Sequence, residues 1–425
     1  MRAIAWLLAL FAVAVAVALF TGGNTATVTL FWPPYRYDLS LNLVLLLLVG
    51  GFVVLHLALR ALSALFSMPQ QAKRWRVQQR ERAMHAALLD ALSHLLAGRF
   101  LRARKAAEAA LGQEQALTAS GHHLGHADKL RAMAHLVTAE SAQALQDRPT
   151  RDEHLLLAIE HTAQRDAQET REGVQLRAAR WALSDRDPQA ALQWLDALPQ
   201  GAARRTLALR ARLKAARLAR QTMPALETAR LLAKHRAFSE GGAQSLLRNL
   251  AMELINDAHD PAQLQRAWGQ LDNTERQMPE VAIHAAQRLA TLQGDAAQAR
   301  QWLLPIWERR MAQPEQWSES QSIKLIRALE AGFAATDDPI DLPWLHRIEA
   351  AQQRHGRDPN LQYLAGMACL RHQLWGKAQQ LLTQSVLNLQ DVGLQRSAWR
   401  ALATLAEQRG DEGAAREAYR RAATI

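Results

Sequence analysis

One cysteine, Cys369, stands in a chain of 425 residues. That excludes an intrachain disulfide framework, a cysteine-based zinc site and an iron–sulfur cluster within one chain. Without a Cys-x-x-Cys-His stretch there is no covalent c-type haem attachment either. Alone, Cys369 reads as a small buried hydrophobe rather than a nucleophile. Aromatics are scarce, 6% against a hydrophobic content of 49%, so the cores must be built mainly from Ala and Leu. The chain also lacks G-x-G-x-x-G, any other phosphate-cradling glycine loop, a G-x-S-x-G elbow and H-E-x-x-H. The paired acids Asp337-Asp338 adjoin a proline, where turn chemistry accounts for them. No catalytic constellation emerges, and the expectation is a protein that is not an enzyme. Acids are in deficit, giving a formal charge of +11, but both signs are interspersed as on a solvated helix surface. With no stacking aromatics and no nucleic-acid-binding motif, nucleic acid is not an expected partner.

Two long apolar runs open the chain. Residues 3–20 read "AIAWLLALFAVAVAVALF", without charge or proline, and as a helix would reach roughly 27 Å, close to the thickness of a bilayer core. Residues 41–59 read "LNLVLLLLVGGFVVLHLAL", with Asn42 and His56 near the ends and Gly50-Gly51 inside, as membrane helices tolerate. Both are expected to span, with 21–40 as the connector. The connector holds Arg36, countered by Asp38. After the second run come Arg60, Lys73, Arg74, Arg76, Arg80 and Arg82 against Glu81 alone. The positive-inside rule then places both termini in the cytoplasm and the connector on the far side.

The connector contains "TVTLFW" and "YRYDL", each alternating as a short strand does, separated by Pro33-Pro34. A two-stranded ribbon at the membrane surface is one form it can take, needing support from headgroups or a partner. Phe31, Trp32, Tyr35 and Tyr37 suit the lipid interface. Downstream, "KRWRVQQRER" (Lys73 to Arg82) suits anionic headgroups, with Lys73, Arg74 and Arg76 around Trp75.

After residue 60 the composition favours helix almost everywhere. In "SAWRALATLAEQRGDEGAAREAYRRAAT", Trp399, Leu402, Ala403, Ala406, Gly410, Ala415, Tyr419 and Ala422 have tetratricopeptide spacing. About 37 residues earlier, Ala365-Gly366, Cys369, Ala378, Leu382 and Ser385 take the same relative places. Small residues let paired helices approach, and pairs must stack to bury their apolar stripes. Weaker copies place helix turns at Gly98, Gly294, Asp187-Pro188 and Met223-Pro224, with Ala103, Ala107 and Ala110 following the first. The segments "GGAQSLLRNLAMELINDAHDP" and "ATDDPIDLPW" are the candidates for loops or breaks.

Two spans bracketing "TVTLFWPPYRYDLSLNLVLLLL", a basic juxtamembrane helix and helical repeats resemble the proteobacterial HemY family. The resemblance is most specific over about residues 22–135, including "WRVQQRERAMHAALLDALSHLLAGRFLRARKAAEAAL" from Trp75. It implies an inner-membrane protein of tetratricopeptide type, associated with late steps of haem (protohaem IX) and porphyrin metabolism. The family shares its name with an unrelated flavin-dependent oxidase, whose dinucleotide fingerprint is missing here.

The expected fold is therefore all-α: a membrane anchor over 1–66, with two spans joined by a short loop or β-hairpin, then a tetratricopeptide-like solenoid over 67–425. Its clearest repeats are 359–389 and 396–425. Three groups of residues are site candidates. His122, His123 and His126 in "SGHHLGHADKL" offer imidazoles to a metal or to haem iron, His122 and His126 lying one turn apart if a helix starts there. Tyr363, Leu364, Met367, Leu370 and Arg371, with Arg400, Thr404 and Gln408, are expected to line the concave side of the last two repeats. That surface fits an amphipathic partner helix or a porphyrin with its carboxylates on arginine; the alternative is ordinary core. The interfacial residues Trp32, Tyr35, Tyr37, Lys73, Arg74, Trp75 and Arg76 form the third group. The leading functional expectation is a non-catalytic scaffold holding haem-pathway enzymes near the bilayer, without a required cofactor. The alternatives are a haem or porphyrin carrier and a general assembly factor for envelope complexes.

Overall fold

The computed structural model describes residues 13, 14, 17, 25–122, 124–163, 167–334 and 342–425, of which 64–71 and 334 are described by backbone alone. Strands β1 (Thr27–Trp32) and β2 (Tyr35–Ser40) pair antiparallel around a Pro33-Pro34 turn with a cis bond, in the register Thr27↔Ser40 through Trp32↔Tyr35. Directly opposed residues share a face. This register therefore gathers Val28, Leu30, Trp32, Tyr35, Tyr37 and Leu39 on one side and Thr27, Thr29, Phe31, Arg36, Asp38 and Ser40 on the other. On the polar side Arg36 meets Asp38 at 3.3 Å and lies 5.4 Å from the Phe31 ring centre. The expected ribbon thus forms, and it is amphipathic.

Ser40 ends the ribbon and caps α1 (Leu41–Leu96), its Oγ accepting the Leu43 N–H at 3.3 Å. At 1.5 Å per residue these 56 residues make a helix about 84 Å long. The stretch Leu41–Ser63 is long and apolar enough to cross a membrane, and none of it is buried against the rest of the chain. The expected first span, 3–20, lies outside the described residues except at 13, 14 and 17, which are helical. Among the described residues there is one such helix. It runs without interruption through 66 and 67, where the anchor was expected to give way to the repeats.

The chain divides into two compact units, Met1–Arg171 and Glu172–Ile425. In the first, the end of α1 packs on α2 (Phe100–Ala119), then α3 (Ala127–Ala144) and α4 (Arg148–Glu160) follow. Met84 and Leu88 of α1 bury against Ala110 and Leu117 of α2 and Leu130 and Ala134 of α3, while Ala91 meets Ala103 and Ala107. Alanines at these crossings let the helix backbones close in, as the spacing required.

The second unit continues the pairing from α5 (Gln168–Ser184), whose first turn precedes the division, and α6 (Pro188–Asp196). After the short α7 (Gln200–Ala203) come α8 (Thr206–Leu218) with α9 (Thr222–Lys234), and α10 (Glu240–Asn256) with α11 (Pro261–Gln270). The short α12 (Asn273–Arg276) leads to α13 (Pro279–Thr291) with α14 (Ala296–Ala312), and α15 (Glu319–Ala334) with α16 (Leu342–Arg354). The last pairs are α17 (Pro359–Arg371) with α18 (Trp375–Val386) and α19 (Val392–Gln408) with α20 (Glu412–Thr424). The first helices of successive pairs touch, α10 on α13, α13 on α15, α15 on α17 and α17 on α19, which is the stacking that buries one continuous core from Leu209 to Leu405.

One turn recurs inside the pairs. Gly98, Gln146, Arg186, Arg220, Gln293, Gln373 and Gly410 all take positive φ, between 55° and 77°. In each case the next N–H reaches the carbonyl five residues back, as Asp187 N to Ala182 O at 2.9 Å and Asp411 N to Ala406 O at 3.0 Å. This is the left-handed helix stop that satisfies free carbonyls. Asp147, Asp187, Asp295 and Asp411 then cap the second helix of their pairs. Two boundaries differ from expectation. The turn placed near Met223-Pro224 falls at Arg220-Gln221, because Pro224 sits in the first turn of α9, where a missing N–H costs nothing. The glycine-led segment expected as a loop is α10. Ser239 caps it, accepting Gly242 N–H at 3.3 Å, and Leu250, Ala251 and Ile255 carry its buried stripe. Of the other candidate loop, 335–344, residues 335–341 lie outside the described residues and 342–344 open α16.

Candidate functional site

The histidine cluster is rearranged relative to expectation. After α2 the stop at Gly121 (φ 79°) closes with His122 N on Leu117 O at 3.2 Å, and the next helix starts only at Ala127. His122 and His126 therefore do not share a helical face. His122 is exposed, its Nδ1 3.2 Å from the Ser120 carbonyl; His123 lies outside the described residues. His126 instead meets His85 of α1, Nε2 to Nε2 at 3.3 Å. Sequence reasoning missed His85, 41 positions away, because only the packing of α1 against the link brings the two together.

A second group lies between α3 and α4. His135 Nδ1 and His154 Nδ1 are 2.9 Å apart, and the His161 ring stacks on His135 with centres 5.7 Å apart. Burial, with His154, His161 and Arg131 adding to it, pushes His135 down to about 4. Burial also lowers His154. Beside them, burial raises the Glu114 carboxyl, but bonds from Arg131 (2.6 Å) and Thr118 (2.8 Å) outweigh it and leave the group below its ordinary range. Among the described residues no three His, Cys, Asp or Glu side chains are placed to hold a metal ion.

The residues expected to face a partner in the last repeats separate into two sets. Tyr363 and Leu364 are fully buried, and the Tyr363 hydroxyl donates to Glu330 of α15. Burial raises both the Tyr363 and the Glu330 pKa. These positions are core, because α15 and α19 flank α17 and cover that face. Met367 and Leu370 are partly covered, whereas Arg371, Arg400, Thr404 and Gln408 are exposed. Cys369 is buried and free, and burial pushes its thiol up to about 11, as an unreactive core residue requires.

A cleft of about 530 Å³ in the second unit lies elsewhere, lined among others by Arg210, Leu213, Lys214, Arg217, Phe238 and Glu253. Arg210, Lys214 and Arg217 recur at helical spacing on α8. Arg210 donates to the Ala237 carbonyl at 2.8 Å and lies 5.8 Å from the Phe238 ring centre. No single residue in this cleft stood out in the sequence, where it reads as solvated charge.

The interfacial candidates are all exposed: Trp32, Tyr35 and Tyr37 on the apolar side of the ribbon, and Lys73, Arg74, Trp75 and Arg76 on α1.

An exposed apolar helix that becomes the first member of a stack of antiparallel helix pairs defines a tetratricopeptide-like repeat protein with an apolar N-terminal helix. Residues 26–146 match the family model described as HemY protein N-terminus, so the chain is HemY-like over the ribbon, the apolar helix and the first helix pairs. No curated protein matches the chain. Among solved structures it is similar to "Crystal Structure of P58(IPK) TPR Domain at 2.5 A", at 14% identity over 77% of this chain and 99% of that one, TM-score 0.21. It is also similar to "Structure of Naa15/Naa10 bound to HypK-THB", at 11% identity over 77% of this chain and 57% of that one, TM-score 0.22.

Proposed function

We propose that this chain is a membrane-anchored, non-catalytic scaffold of haem (protohaem IX) and porphyrin metabolism, whose repeats hold pathway enzymes at the cytoplasmic face of the inner membrane. The observation that carries the reading is the continuity of α1: the same helix is exposed and apolar over Leu41–Ser63 and buried in the repeat core at Met84 and Leu88. Insertion of its apolar part would fix the first repeats against the bilayer. The cations of Lys73, Arg74, Arg76, Arg80 and Arg82 would face headgroups, each contributing about 1 kcal/mol near an anionic leaflet. The haem context is what the resemblance to the HemY family implies, and the match over 26–146 supports that resemblance. The topology consistent with these charges is multi-pass with both termini cytoplasmic, residues 3–20 supplying the other span. Affinity capture from detergent-solubilised membranes, using the full chain and a form lacking residues beyond 72, tests the scaffold. Haem-pathway enzymes should be recovered with the full chain only; recovery of none in either case rejects it.

A second reading, a haem or porphyrin carrier, is favoured by the α8 cleft, where an aromatic ring beside three cations suits a planar apolar ligand bearing carboxylates. A Soret band that weakens in Arg210→Ala and Arg217→Ala would support it.

A further inference from the structure

We infer that His85 and His126 form a binding site for a late first-row divalent metal ion, which would tie the α2–α3 link to α1. The His85 Nδ1 lies 2.8 Å from the Glu81 carbonyl. A carbonyl only accepts, so Nδ1 carries a proton and Nε2 is the nitrogen left to ligate an ion. That nitrogen lies 3.3 Å from His126 Nε2. Two nitrogens each about 2.05 Å from a tetrahedral zinc stand about 3.3 Å apart. A histidine whose second nitrogen donates to a backbone carbonyl is also the usual form of a metal-bound imidazole, the carbonyl fixing tautomer and ring orientation. The rings sit at the surface with centres 5.4 Å apart, so an ion can reach them and water can complete its shell. Water is needed, since no third side-chain ligand joins the pair among the described residues.

The site is separate from the part-buried His135–His154 contact between α3 and α4. Its location gives it a consequence. His85 belongs to the helix that carries the apolar stretch, and His126 immediately precedes α3. A bound ion would therefore join the second helix pair to α1 by a coordinate link spanning 41 residues of sequence.

The test uses the full chain in detergent, free of affinity-tag histidines, titrated with Cu²⁺ and with Zn²⁺. Imidazole sites bind Cu²⁺ more tightly than Zn²⁺. The expected result is one Cu²⁺ per chain, with an electron paramagnetic resonance signal showing two coupled nitrogens. Affinity should fall at least tenfold in both His85→Ala and His126→Ala, and stay within twofold in His122→Ala and His154→Ala. Zn²⁺ should raise the unfolding temperature of the wild type but not of His126→Gln, a variant that keeps a hydrogen-bonding side chain at the link. Equal binding by wild type and both alanine variants would overturn the assignment. So would an absence of binding by the wild type, which would reduce the pair to an N–H···N hydrogen bond.

Discussion

Gly366 shows how one position decides a helix crossing. A Cβ placed there would lie 2.7 Å from Leu382 Cγ and 3.3 Å from the Leu382 backbone nitrogen, so α17 and α18 touch through it. Gly366→Ala should lower stability by about 1–3 kcal/mol through overpacking. Gly112, exposed on α2, meets nothing within 4 Å. Gly112→Ala should therefore raise stability by about 0.5–1 kcal/mol through lower unfolded-state entropy and better helix propensity. Urea unfolding of the two variants should give opposite signs; the same sign in both would contradict the close crossing. Charge is decided just as locally. Glu275 is almost fully buried and accepts two bonds from Arg230, at 2.9 and 2.7 Å, and a third from its own capping partner, Asp272 N–H, at 2.9 Å. Arg230→Ala should cost about 3–5 kcal/mol by leaving a buried carboxylate without its cation. The double variant Arg230→Met, Glu275→Leu should recover most of that loss, because the desolvated charge goes with its partner.

Seven of the helix pairs turn through a residue in left-handed conformation, and at five of those seven turns that residue is Gln or Arg rather than Gly. The left-handed region is costly for a side chain bearing Cβ, so Arg186→Gly, at φ 60°, should stabilise the α5–α6 pair by about 0.5–1 kcal/mol. A lower midpoint in thermal unfolding would contradict this. These non-glycine turns also explain what the sequence left unreadable. Gly98 and Gly410 announced their turns, and the apolar spacing around Ala365, Cys369 and Ala378 announced the last pairs. Gln146 and Gln373 gave no such signal, because their conformation is imposed by the carbonyls they help close rather than by their own preference. The ribbon was legible for the opposite reason, its alternation being strict and its break a pair of prolines. The candidate sites were less so: whether Tyr363 faces a partner or a neighbouring helix depends on how pairs stack, and the meeting of His85 with His126 depends on a link path. Within α3 and α4, His135 supplies a pH dependence. Its folded pKa near 4 lies below the ordinary 6.5, so the unfolded chain binds more protons between those values. The stability this group contributes is complete above about pH 6.5 and is lost as pH falls through about 4. Between pH 7 and pH 4.5 the wild type should lose about 1–3 kcal/mol more than His135→Leu, as read by urea unfolding at each pH. Equal losses would show that His135 titrates unhindered.

For the chain as a whole, the decisive asymmetry is between its apolar N-terminal helix and its charge. Leu41–Ser63 exposes leucine, valine and phenylalanine on every side, which water penalises at about 25 cal/mol per Å². The second unit, by contrast, buries its apolar side chains in continuous cores and leaves a mixed-charge exterior. In the proposed topology a lipid phase reconciles the two in one polypeptide. Lys73, Arg74, Arg76 and Arg82 are exposed and Arg80 reaches only the Ala116 carbonyl, so in the proposed topology these cations would set orientation by remaining on the cytoplasmic side. The full chain should stay in the membrane fraction through carbonate washing, whereas a chain starting at Lys73 should be released and keep its helical circular dichroism, because Met84, Leu88 and Ala91 remain to complete the first core. In spheroplasts, protease added outside should leave the unit Glu172–Ile425 intact. Replacing Lys73, Arg74, Arg76, Arg80 and Arg82 with glutamate should make part of that unit accessible, since the cations that hold it inside would be gone. Digestion of the unreplaced chain from outside would reverse the orientation, and release of the full chain by carbonate would remove the anchor on which the scaffold reading depends.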